Sequence, residues 1–264
     1  MKSVVRLDAG GHSLGTGFLV SSDGFILTAG HVITDETAGE YFSAIEIVLP
    51  NGTHKLANVA MPASPDSTGQ DYAILKVDGE SKLPFIPLGS FSDAAPGTDA
   101  TIIGYPFSAI TVQDQRVTTK FCLSAMVSAS DLATILVTGT QRVGNTYSPF
   151  NKNVKVDVVY FQGPSVKGIS GSPLISRETG KVIGIVTLKL SGIGTSLGEL
   201  KKETAKGLGS GINISGLDPG LAINQILTVL DDQLANGLGA ATGIDDPAYA
   251  LKKAQREYGR THPK

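Results

Sequence analysis

The sequence predicts an all-β protein built from antiparallel barrels, and three observations carry that prediction. Its apolar stretches are strand-sized: the longest, such as Val182–Leu188, stop far short of the about 20 residues of a membrane span. Glycines number 32 and prolines 13, so turns are frequent and elements short. Strand signals follow one another without the intervening helices that build a parallel sheet. At 264 residues the chain suits one large barrel or sandwich, or two small barrels sharing an interface.

Taken in order, Gly17–Val20 and Phe25–Leu27 are apolar runs joined by Ser21-Ser22-Asp23-Gly24, a hairpin turn in which Gly tolerates positive φ. Ile45–Leu49 alternates into Pro50-Asn51-Gly52, a second hairpin signal. Tyr72–Val77 and Ala100–Ile103 are further strands, the latter ending at Gly104-Tyr105-Pro106. Then come Val154–Phe161 and the pair Leu174–Ser176 and Lys181–Lys189, joined by Glu178-Thr179-Gly180. Residues 191–211 are Gly-rich, and their charged Glu199–Lys206 part reads as a solvated loop, with a short surface helix as the alternative. From Pro219 the spacing of Leu221, Ile223, Ile226, Leu227, Leu230 and Leu234 predicts a helix over 219–235. Beyond Asn236 the tail reads as Gly-, Ala- and charge-rich and partly mobile, with a weaker helix over Pro247–Tyr258. No internal repeat is visible.

Charge excludes some functions. With 22 Lys+Arg against 24 Asp+Glu, nothing favours a general nucleic-acid or anionic-membrane binder. One cysteine, Cys122, leaves no intramolecular disulfide and reads as a buried small hydrophobe rather than a reactive thiol. Charge and glycine break up the residues after Met1 before any secretory length is reached, so a soluble cytoplasmic protein is expected. Four histidines without clustered spacing predict no metal site, and no glycine-rich phosphate loop opens a helix, so no cofactor is expected. His12, His54 and His262 read as structural or exposed.

Three segments hold chemistry in combination: Thr28-Ala29-Gly30-His31 after an apolar strand, Asp71 at the mouth of Tyr72–Val77, and Gly168-Ile169-Ser170-Gly171-Ser172-Pro173-Leu174. Amide hydrolysis needs a nucleophile stronger than a neutral hydroxyl, and serine becomes adequate when an imidazole takes its proton. A carboxylate on the far ring nitrogen fixes the tautomer, and a Gly-flanked loop can aim N–H groups at the oxyanion. The reading is Ser170 as nucleophile, His31 as general base and acid, Asp71 as orienting carboxylate, and the N–H groups of Gly168 and Ser170 as oxyanion hole.

In the order His, Asp, Ser, with Thr28–His31, Asp71–Val77 and Gly168–Ser176, the chain resembles the chymotrypsin-fold serine peptidases, nearest the disulfide-free HtrA/Deg branch. Gly15-Thr16-Gly17-Phe18 and Ile103-Gly104-Tyr105-Pro106 share that branch's habits. The resemblance implies two six-stranded antiparallel barrels with the site in the cleft between them and a C-terminal helix. On this reading residues 1–108 form a barrel carrying His31 and Asp71, 109–218 a barrel carrying Ser170, and 219–264 the helix and tail. Ser172 stands where many relatives have a second glycine, and Ile169 where zymogen-type relatives carry an acid, so activation by N-terminal cleavage is not expected. The segment after the predicted helix is too short for a PDZ domain.

The resemblance also implies a substrate pocket from Pro164, Ser165, Thr187 and Lys189, within two segments (161–167 and 186–189) that contain no carboxylate. A basic P1 residue would need a buried negative partner, so a small or medium apolar P1 leads, followed by an acidic P1 drawn by Lys189 or Lys167. The partner expected is a protein or peptide substrate, with no nucleic acid and no membrane. The alternatives are a protease kept latent until a regulatory partner or homo-oligomer arranges the oxyanion loop, docking at 191–211 or the tail, and an inactive binding module on the same fold.

Overall fold

The computed structural model describes residues 2–10, 12–35, 40–42, 44–49, 52–61, 71–79, 82–106, 111–112, 115–116, 119–143, 146–164, 166, 168–189 and 237–261. The helix expected over 219–235, the Gly-rich 191–211, Ser165, Lys167 and the side chain of Lys189 lie outside the described residues.

Six strands form the first closed barrel: β1 (Val4–Ala9), β2 (His12–Leu19), β3 (Phe25–Thr28), β4 (Ile45–Val48), β5 (His54–Met61) and β6 (Ala73–Lys76). A second ring follows: β7 (Asp99–Gly104), β8 (Phe121–Val143), β9 (Thr146–Gln162), β10 (Pro173–Ser176), β11 (Val182–Lys189) and β12 (Leu238–Gly243). Around the first ring the order is 1-2-3-6-5-4, and around the second 7-8-9-12-11-10, which is the same circuit traced twice. The repeat missing from the sequence is therefore present in the topology. Residues 34–35 with 40–41, and 111–112 with 115–116, form small separate ladders.

Turn chemistry sets several of the hairpins. Gly24, Gly52 and Gly180 adopt φ of 96°, 82° and 68° where sequence patterning places the β2–β3, β4–β5 and β10–β11 turns. The β8–β9 hairpin is much longer than the expected Val154–Phe161: the two strands pair from Met126↔Gln162 to Val143↔Thr146. Within this hairpin β7 pairs with 121–126 and β12 with 158–162, so residues 132–143 and 146–157 form a two-stranded arm of roughly 40 Å. Cys122, on β8, is exposed rather than buried.

Three cores hold the molecule together. Val5, Leu7, Leu19, Ile26, Ile45, Ile47 and Leu75 fill the first barrel, and Ile102, Val127, Val159, Phe161, Leu174 and Ile183 the second. Between them, Val4, Phe18, Phe25, Leu27 and Ile74 of the first ring meet Ile103, Tyr105, Ile175, Val182 and Ile185 of the second. Strand β1 is buried on both faces, and its Arg6 and Asp8, two apart and so on one face, satisfy each other through a fork at 2.8–3.2 Å.

Ring membership does not change at residues 109 and 218. Strand β7 belongs to the second ring although it precedes residue 109, and β12 closes that ring although it follows residue 218. The tail is also ordered: Leu238–Gly243 is a strand, and α1 spans Asp245–Thr261. Its LGAATG sequence lacks the bulky β-branched signature of a strand. The small residues are required by packing, since a Cβ at Gly239 would enter the Phe161 ring.

Helix α1 starts with Asp245 and Asp246, ends near Arg260, and buries Pro247, Ala250, Leu251 and Ala254 at helical spacing. It returns to the first barrel, where the Tyr258 ring stands edge-on to Phe25 at 5.9 Å and its hydroxyl donates to Asp78. The buried Lys76 ammonium lies 4.7 Å from the Tyr258 ring centre and 5.6 Å from that of Phe25. Among the described residues no helix is long and apolar enough to cross a membrane.

Candidate active site

His31 owes its place to the end of β3. The register Thr28↔Ala73 between β3 and β6 sets the residues just past Thr28 beside those just before Ala73. Past Thr28 the chain makes a short 3-10 turn, Gly30–Ile33, whose Val32 and Ile33 are buried while the His31 side chain is 42% exposed. Asp71 faces it from the mouth of β6. One carboxylate oxygen accepts the His31 backbone N–H at 2.9 Å, and the other lies 2.5 Å from Nδ1. An ionised carboxylate only accepts, so it holds the proton on Nδ1 and leaves Nε2 as the acceptor, facing away.

Ser170 is the second residue of the latter of two successive tight turns. Ile169 N–H donates to Val166 O at 3.3 Å with Gly168 at φ 96°, and Ser172 N–H donates to Ile169 O at 2.9 Å with Gly171 at φ 82°. A positive φ at the third residue of such a turn is a conformation that glycine adopts without strain. Space is as restrictive as φ at Gly171, where a Cβ would run into Thr16 O and Thr28 Oγ1. The loop is tied to β11 by Gly171 N–H to Val186 O (2.7 Å) and Val186 N–H to Ser172 O (2.9 Å). The N–H groups of Gly168 and Ser170 donate to no acceptor among the described residues.

The two barrels meet at this loop. Ser170 O accepts the Thr16 N–H at 2.9 Å, Gly168 O accepts the Thr16 hydroxyl at 2.8 Å, and the Thr28 hydroxyl donates to Thr16 O at 2.8 Å. Gly171 thus lies against Thr28 and Ala29, just ahead of His31 in the chain, so the serine turn and the imidazole turn border one seam. Of the residues assigned to the pocket, Pro164 is half-buried beyond β9, and Thr187 is buried with its hydroxyl toward Ala240 O at 3.5 Å. Ser172 is fully buried, and its Oγ has no hydrogen-bond partner among the described residues. In the sequence Thr16 stands out only within Gly15-Thr16-Gly17-Phe18. Its one sequence signal is a hydroxyl between two glycines, Gly15 and Gly17. Among the described residues no group of His, Cys, Asp and Glu could hold a metal ion.

Two six-stranded rings, with an imidazole–carboxylate pair on one rim and a glycine-flanked serine turn on the other, define the class of double-barrel proteins to which trypsin-like peptidases belong. The model of the trypsin-like peptidase domain matches residues 15–185, and the chain belongs to that family. It is 30% identical over 230 residues to serine protease HTRA1A of Danio rerio, covering 85% of this chain and 36% of that protein. It is 29% identical over 249 residues to a probable periplasmic serine endoprotease DegP-like of Pseudomonas putida, covering 94% of this chain and 44% of that protein. The chain thus spans less than half the length of these relatives. Among solved structures, the Rv3671c protease from M. tuberculosis, active form, aligns over 70% of both chains at 25% identity and a TM-score of 0.47.

Proposed function

We propose that the chain is a serine endopeptidase of the chymotrypsin-like fold in which Ser170, His31 and Asp71 act as a triad. The observation that carries this reading is the double hold of Asp71 on His31, through both the backbone N–H and Nδ1. It places the ring proton on Nδ1 and leaves Nε2 unprotonated, the form a general base needs.

In the proposed reaction, Ser170 Oγ attacks the scissile carbonyl carbon while its proton passes to His31 Nε2. The carbonyl π pair moves to oxygen, where the Gly168 and Ser170 N–H groups, unpaired among the described residues, receive the oxyanion. Collapse breaks the C–N bond, and His31 returns the proton to the leaving amine. An acyl-enzyme remains on Ser170, and water resolves it with the same imidazole acting first as base and then as acid. The Asp71 carboxylate stabilises the imidazolium as it forms. The substrate is a protein or peptide with a small or medium apolar P1 residue, since the segments 161–167 and 186–189 offer no carboxylate to a basic side chain.

A fluorophosphonate probe tests this reading, because it reacts only with an activated serine. Covalent labelling of the wild type that disappears in Ser170→Ala is expected, and no labelling of either overturns the proposal. Cleavage of a mixed peptide library tests the pocket: strong cutting after Arg or Lys would refute the apolar P1.

A further inference from the structure

Thr16 is fully buried in β2, on the first barrel, yet its contacts reach both sides of the seam. Its N–H goes to Ser170 O and its carbonyl receives the Thr28 hydroxyl. The side-chain oxygen accepts the Tyr105 N–H at 3.0 Å, at the exit of β7, and donates to Gly168 O at 2.8 Å. A hydroxyl has one proton. With Tyr105 filling an acceptor site, that proton is committed to Gly168, and the β-branched side chain has little rotamer freedom to redirect it.

The receiving carbonyl lies one Cα away from the N–H assigned to the oxyanion. Gly168 joins two peptides, and glycine populates positive and negative φ about equally. The turn's own bond, Ile169 N–H to Val166 O, is long at 3.3 Å. The shorter contact comes from the other barrel. Room for it exists because residue 104 is glycine: a Cβ there would overlap Ser172 Oγ and come within 3.0 Å of Thr16 Oγ1.

We propose that Thr16 is a positioning residue whose hydroxyl, acting across the seam, holds the Gly168 carbonyl and thereby keeps the Gly168 N–H turned toward the reacting oxyanion. This rests on the serine-peptidase reading above. It makes the oxyanion site a joint product of both barrels: the first barrel supplies the constraint, and the second the donor.

The test compares second-order rates of fluorophosphonate labelling for the full chain and its Thr16→Ser and Thr16→Val variants, each well below its own melting temperature. Phosphonylation builds negative charge on oxygen as acylation does, so it reports the same donors. Thr16→Val keeps the shape and loses the hydroxyl, and should label about tenfold more slowly or worse. Thr16→Ser keeps the hydroxyl and should label within about threefold of wild type. Wild-type labelling by Thr16→Val, or equal slowing in Val and Ser, overturns the proposal. If Thr16→Val does not fold, Thr16→Ala replaces it in the comparison with Thr16→Ser, with the same two outcomes. Labelling that Ser170→Ala fails to abolish refutes the serine reading and this inference with it. Ser170-dependent labelling that ignores the hydroxyl refutes the Thr16 role alone.

Discussion

Asp71 grips His31 at two points, the backbone N–H at 2.9 Å and Nδ1 at 2.5 Å. Both bonds come from one carboxylate, so the ring cannot turn about its χ angles without giving up a charge-assisted contact, and the backbone turn cannot shift without giving up the other. The same residue thus sets ring orientation, tautomer and turn.

That relationship predicts an asymmetric response to Asp71→Asn. The amide can keep one contact but can donate where the carboxylate only accepted, favouring the wrong tautomer. Turnover of a peptide substrate should fall by about 10⁴-fold with the fold unchanged by circular dichroism. In the wild type a protonated His31 cannot accept the Ser170 proton, so peptide turnover should fall on acidification. A rate flat between about pH 5 and 8 contradicts the base role.

Gly171→Ala should damage the loop and the seam together. Alanine at φ 82° is strained, and its methyl would press on Thr16 O and Thr28 Oγ1. The strain alone costs about 1–3 kcal/mol. Urea unfolding should show at least that loss, and fluorophosphonate labelling should be abolished in the fraction that remains folded.

Ser172→Ala should do the opposite. Its hydroxyl is buried without a partner among the described residues, so removing it should raise stability by about 1–3 kcal/mol. Labelling should persist in Ser172→Ala and vanish in Ser170→Ala. Loss of labelling in Ser172→Ala would move the nucleophile to that position.

Asp157, on β9, predicts a pH dependence of stability. Burial first, then the carboxylates of Asp246 and Asp245, hold its carboxyl above the ordinary aspartate range. The native state therefore binds the proton more tightly than the unfolded chain, and stability is lost as pH rises through that raised value. Asp157→Asn should raise the melting temperature at pH 7 and give no gain at about pH 3, where both states are protonated. An equal gain at both pH values would refute the electrostatic account.

Much of this was legible from local pattern. Hairpin glycines at 24, 52 and 180 and the apolar runs of β3, β6 and β11 follow from turn chemistry and alternation, which act over a few residues. Strand β12 was not legible, because its small residues are chosen by the Phe161 ring it must pass. The long β8–β9 arm escaped for a related reason: its pairing partners, not its apolar content, define its length.

By itself, the sequence determined the chemical inventory, namely the His31, Asp71 and Ser170 candidates in their motifs, the turns beside them and the all-β class. Only the tertiary structure decided that one strand circuit is traced twice, that α1 crosses back to the first barrel, and that Thr16 reaches Gly168 across 152 residues of chain. The reason is separation. Short-range rules act through backbone geometry and neighbouring side chains, whereas these contacts exist only once two barrels have closed and buried a common face.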